Sequence, residues 1–200
     1  MLVRPPAILQ IVREPLKAGH EAEFSAIEEE RARISVVLGC PNPYLGTESL
    51  TGPKEAWWFN GYESAEHQQR VYDAYAKNTT LLAAFQQSEP RKAQITGKPI
   101  EVFARYRPDL RPDASWAPGV GRFLVVTTTT KDSDVAGTVF EAADGTRIII
   151  SPTNTREEAD AAVTRIAANA IVLAVRPTWS FPSPAWIADD PVFWKQAPPA

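Results

Sequence analysis

The chain has one cysteine, Cys40, in 200 residues. A single thiol excludes an internal disulfide and any cysteine-rich metal site. Cys40 stands between Gly39 and Pro41, where a helix should stop, and reads as a half-buried helix-end residue rather than a nucleophile. Histidine is nearly as scarce. His20 and His67 are the only two, and with no HxxxH or H-x-E spacing they give no expectation of zinc or another metal. Basic charge is not in excess: 21 Lys and Arg face 24 Asp and Glu, for a net charge of −3. No nucleic-acid partner is expected from that balance. No apolar run is long enough for a membrane span or for a signal-peptide core, so the expectation is a cytoplasmic protein with no membrane partner. Gly-x-Ser-x-Gly, GxGxxG and Walker motifs are all missing, and no cofactor is expected.

What is present is an ordinary globular composition, 44% hydrophobic, in a chain long enough to bury a core without staples. Residues 7–14 alternate like a strand. A helix is expected over 20–38, acidic at its start and stopped by Gly39 and Pro41. Its stripe of Phe24, Ile27, Ile34 and Leu38 is interrupted by Arg31, and the run Glu28-Glu29-Glu30 reads as a solvated face. Strands follow at 43–49 and 55–62. Ser64 should cap a helix over 65–77, a short helical piece covers 81–88, and residues 99–107 form a fourth strand. The order βαββαβ is that of a ferredoxin-like module.

Residues 108–121, rich in Pro, Gly and Asp, read as a linker. Strands are expected at 122–130, 137–142 and 146–151, with Asp144-Gly145 as a hairpin turn. A helix over 156–168 opens on the capping box Thr155/Glu158, and a last strand covers 170–176. This βββαβ half is a degenerate second copy of the first, both ending in Arg-Pro at 107–108 and 176–177. The expected organisation is thus an α+β protein: a module over 1–107, a linker, a second half over 122–176, and a tail over 177–200. Trp179, Phe181, Trp186, Phe193 and Trp194 make that tail too apolar to hang free.

Alternation sorts the first sheet into two faces. Leu9, Ile11, Trp57, Phe59, Ile100, Val102 and Ala104 suit packing under the two helices. Gln10, Trp58, Asn60, Tyr62, Glu101, Phe103 and Arg105 share the other face, which should meet a second sheet. His67, on one helix face with Val71, Ala74 and Tyr75, should point toward the sheet. With Trp58, Asn60, Tyr72 and Arg105 it would frame a pocket for a flat aromatic ligand. The competing reading is a partly buried His67 satisfied by a neighbouring backbone group.

The segments LQIVREPLKAGHEAEF, WWFNGYESAEHQQRV and IEVFARYRP resemble the dimeric α+β barrel superfamily, which includes NIPSNAP-like proteins and antibiotic-biosynthesis-type monooxygenases. The resemblance spans residues 7–107 and, as a partial repeat, 122–176. It implies two four-stranded sheets facing one another as a barrel, the second supplied by the same chain, by a partner in a homodimer, or by both. Haem-degrading members use an Asn, a Trp and a His, with the Trp on the helix after the strand. Here that helix offers only Tyr72 and Tyr75, so haem oxidation is not implied. Three functions follow. The first is a barrel protein binding a small apolar or aromatic ligand, the second a cofactor-free monooxygenase or isomerase with His67 as base, and the third an oligomeric assembly module completed by the aromatic tail.

Overall fold

The structure is a computed structural model and describes residues 5–111, 121–131, 134–166 and 169–198. Every strand finds a hydrogen-bonded neighbour on both sides, so the sheet has no edge. In chain order the elements are β1 (Ile8–Pro15), α1 (Glu21–Val37), β2 (Tyr44–Ser49), β3 (Glu55–Tyr62), α2 (Ala65–Lys77), α3 (Thr79–Ile95) and β4 (Ile100–Tyr106). There follow β5 (Phe123–Thr129), β6 (Thr138–Ala142), β7 (Arg147–Thr153), α4 (Arg156–Arg165), β8 (Ala170–Val175), α5 (Pro184–Asp189) and α6 (Pro191–Trp194). The strands close an antiparallel barrel in the order β1-β3-β2-β8-β5-β7-β6-β4. Two seams join its halves: β2 on β8, with Thr47 opposite Val175, and β4 on β6, with Ala104 opposite Ala142. The α+β barrel expected from the sequence is therefore closed within one chain.

Local chemistry explains the element ends. Ser64 accepts the His67 backbone N–H at 3.1 Å and opens α2. Asn78 accepts the Leu81 N–H at 3.1 Å to open α3, while its amide donates to the Leu38 carbonyl at 2.7 Å and ties that start to the end of α1. Thr155 and Glu158 form the expected reciprocal cap of α4. The short helical piece expected over 81–88 is longer. It continues through Pro90 to Ile95, a site where proline removes one ladder bond but its neighbours hold the turn. The linker expected over 108–121 falls mostly on residues outside those described.

Apolar side chains fill most of the barrel interior. Leu9 and Ile11 of β1, Leu45 of β2, Trp57 and Phe59 of β3 and Ala104 of β4 form one buried cluster with Leu124, Val126, Phe140, Ile148, Ile150, Leu173 and Val175 of the other half. Trp194 and Ala197 join it from the C-terminal segment. The outer face of β1 and β3 is covered instead by α1 and α3, with Phe24, Ile27 and Ile95 against Ala56 and Trp58. Trp179 packs there too, edge-on to Phe24 at 5.4 Å. On the other half, Ala159 of α4 packs on Val125 and Val172.

This reverses the expected assignment of faces. Leu9, Ile11, Trp57, Phe59 and Ala104 meet the opposite sheet, not the helices, and Trp58 lies under α1 and α3. Alternation separates the two faces, and the more apolar one fills the barrel. No helix among the described residues is long and apolar enough to cross a membrane.

Candidate functional site

Between the outer face of the first sheet and the pair α1/α3 lies a cleft of about 200 Å³. Val12 and Glu14 of β1, Tyr44 of β2, and Trp58 and Asn60 of β3 form its floor; Glu28 and Arg31 of α1 and Phe85 and Lys92 of α3 form its roof. On α1 the buried positions Phe24, Ile27, Glu28 and Ser35 follow helical spacing. Glu28 is therefore carried into the interface by the turn that buries Phe24.

Lys92 organises the charges. Its Nζ lies 2.8 Å from Glu14 Oε2 and 2.7 Å from Glu28 Oε1. The Trp58 indole N–H donates to Glu14 Oε2 at 2.7 Å, and Nζ sits 5.6 Å from the Trp58 ring centre. Glu14, Glu28 and Lys92 are all buried. Burial pushes the Glu28 carboxyl above its ordinary value, against the opposing pull of Lys92 and Arg31. Glu28 Oε1 is ion-paired to Lys92 at that 2.7 Å, and Arg31 Nε lies 3.9 Å from Glu28 Oε2. Arg31 donates to Ser88 at 3.0 Å and to Glu89 at 2.6 Å, with its guanidinium over the Phe85 ring. Ser35 donates to the Arg31 carbonyl at 2.9 Å, which leaves its oxygen to accept from the Tyr44 hydroxyl at 3.0 Å. Burial also pushes the Tyr44 phenol well above its ordinary value, so it stays a donor.

The residues picked from the sequence do not converge on one pocket. Trp58 and Asn60 line this cleft. His67 lines a separate cavity at the barrel mouth. Tyr72 is 40% exposed, takes a hydrogen bond from Gln68 at 3.1 Å and stands edge-on to Tyr62. Arg105 is exposed on β4, opposite Ile8 and Glu141. The reason is positional: α2 sits over the Tyr62 end of β3, while the longer α3 covers Trp58. The Glu63 backbone N–H donates to His67 Nδ1 at 3.1 Å. That bond makes Nδ1 the acceptor and places the ring proton on Nε2, so His67 presents a donor rather than a base.

Glu14, Glu28, Arg31, Tyr44, Phe85 and Lys92 were not anticipated as site residues. One signal pointed to them: Arg31 interrupting the apolar stripe of α1. A charge on a buried stripe requires a buried counter-charge, and Glu28, read from the sequence as solvated, is part of the answer.

With this geometry in view, known structures give the class. A monooxygenase candidate from Fusobacterium nucleatum subsp. nucleatum is similar over 86% of this chain and 94% of its own, at 10% identity and a TM-score of 0.54. A chlorite dismutase candidate is similar over 88% of this chain and 97% of its own, at 6% identity and a TM-score of 0.54. An anthrone oxidase-like protein covers 88% of this chain with 94% of its own, at 16% identity and a TM-score of 0.46. No protein-family model and no curated protein matches the sequence. The likeness is one of fold: the chain is an α+β barrel protein with a buried, charged cleft between one sheet and its helices.

Proposed function

We propose that this chain binds a small hydroxylated aromatic molecule of one or two rings in the cleft between β1/β3 and α1/α3. The observation that carries the reading is a cavity walled by Trp58, Tyr44 and Phe85 with the buried Glu14, Glu28 and Lys92 charges at its lining. A ligand hydroxyl can donate to a carboxylate of that cluster, and the aromatic walls take the ring. The size agrees: an apolar cavity of about 150 Å³ holds benzene, and this one is about 200 Å³. Calorimetric titration with 2-naphthol tests the reading. Binding to the native chain and its loss in Asn60→Trp, which fills the cleft from its half-exposed side, is the expected result. Absence of binding, or equal binding to both, would sink it.

A second reading is favoured by the raised proton affinity of Glu28. A carboxylate so placed can take the hydroxyl proton of the bound ring and leave it electron-rich toward oxygen, as a cofactor-free oxygenase requires. One of the chains of similar fold is described as a monooxygenase candidate. Glu28 replaces His67 as base in this reading, because His67 lies outside the cleft and offers a proton. Oxygen uptake that depends on 2-naphthol and disappears in Glu28→Gln, with binding retained, is the expected outcome. Uptake unchanged in that variant would remove Glu28 from the role.

A further inference from the structure

The larger cavity lies elsewhere and has no part in that reading. At the end of the barrel where β1 begins and β3 ends, a space of about 620 Å³ opens beside the C-terminal segment. Its deep wall is Leu9, Leu45 and Phe59, three of the side chains that fill the barrel interior. Its outer wall is Trp186 of α5, fixed where Trp186 meets Trp194 at 5.7 Å and Trp194 enters the barrel core. Small eight-stranded barrels have interiors that side chains fill or that hold one small ligand. This barrel does both: side chains fill most of it, and among the described residues the mouth is open beside Trp186.

We propose that this mouth is a second binding site, for a neutral, largely apolar molecule of about two rings that carries one hydrogen-bond acceptor. The polar groups select that chemistry. His67 lines the cavity with Nδ1 already accepting from Glu63, so Nε2–H is the donor it can offer a ligand. Asn42 is buried, and its amide nitrogen is engaged by the Pro43 and Gly61 carbonyls. Among the described residues, Glu63 is the one formally charged residue in the lining, and no lysine or arginine joins it. A carboxylate ligand would therefore meet a like charge and no cation, whereas a ketone meets the His67 donor among apolar walls.

Benzophenone is a suitable probe: two rings, one carbonyl, no charge, and too large for the sheet–helix cleft. Irradiated with the native chain, it should label Leu45, Pro43 or Trp186, and mass mapping of the adducts reads the site directly. Its anionic counterpart, 4-benzoylbenzoate, should bind at least about tenfold more weakly. Ala7→Trp alters an exposed rim residue and should abolish labelling while 2-naphthol binding in the cleft persists. His67→Phe keeps the ring and removes the donor, and should weaken benzophenone severalfold. Labelling at Val12 or Phe85, equal binding of the anion, or unchanged labelling of Ala7→Trp would overturn the proposal. The labelled residues, the weaker binding of the anion and the loss of labelling in Ala7→Trp are read without reference to whether the cleft itself binds a phenol.

Discussion

Lys92 is the cation shared by two buried carboxylates, of which Glu28 also has Arg31 at 3.9 Å. Its ammonium lies at 2.8 Å and 2.7 Å from Glu14 and Glu28, so Lys92→Met would strand Glu14 and leave Glu28 with the more distant Arg31 alone. Removing one partner of a buried ion pair typically costs about 3–5 kcal/mol, and urea unfolding should show a loss of that order. Adding Glu28→Gln should recover part of it, since one of those charges then disappears. Glu28→Gln alone isolates a pH effect. Burial raises the folded proton affinity of Glu28 above its ordinary value of 4.5, so the native state holds this proton more tightly than the unfolded chain. The stability it lends is full below the ordinary value and is lost as pH rises through the folded one. Native stability relative to Glu28→Gln should therefore fall over the pH range above that ordinary value. A difference constant across that range would mean that Lys92 keeps Glu28 ionised throughout.

The C-terminal segment and strand β2 act as elements, each through one close fit. Trp194 is 2% exposed in the barrel core, and α6 is anchored by Asp190, which caps Phe193 at 3.0 Å and pairs with Arg122. Trp194→Ala should cost about 3–5 kcal/mol, the usual range for an aromatic removed from a core, read as a lower denaturation midpoint. On β2, a Cβ at Gly46 would stand 2.7 Å from the Trp58 ring and 2.9 Å from Trp179 Cβ. Gly46→Ala should therefore cost about 1–3 kcal/mol by overpacking, and it should also disturb the Trp58 bond to Glu14 at the cleft floor. Elements of this kind were largely legible in the sequence. Strand β3 and helix α2 fall on the expected residues, because alternation and a serine cap are local signals. The layer each face meets was not legible. Alternation separates Trp57 from Trp58 but does not say which one a helix covers, and that choice depends on Glu28, Arg31 and Lys92 arriving from distant segments. The cleft was legible only through Trp58, Asn60 and the misplaced charge of Arg31.

At the scale of the whole molecule, the order β4-β1-β3-β2 in the first half matches β8-β5-β7-β6 in the second, and the seams pair the second strand of the first half with the fourth of the other, and the reverse. The sequence left open whether a partner supplies the second sheet, since strand patterns carry no information about which chain completes a barrel. Here the chain completes it, and both ends of each sheet are hydrogen-bonded internally. Closure leaves no unpaired strand edge to demand another copy. A barrel closed between two chains would gain stability with concentration by mass action, whereas one closed within a chain would not. The thermal midpoint should therefore stay constant over about a hundredfold range of protein concentration. A midpoint that climbs with concentration would mean that contacts outside the barrel seams, through the exposed faces of the helices or of β4, bind a second copy tightly enough to share in folding. Trp179 and Trp194 would not supply them, being buried within the chain, whereas Ile187 and Val192 of the same segment are exposed.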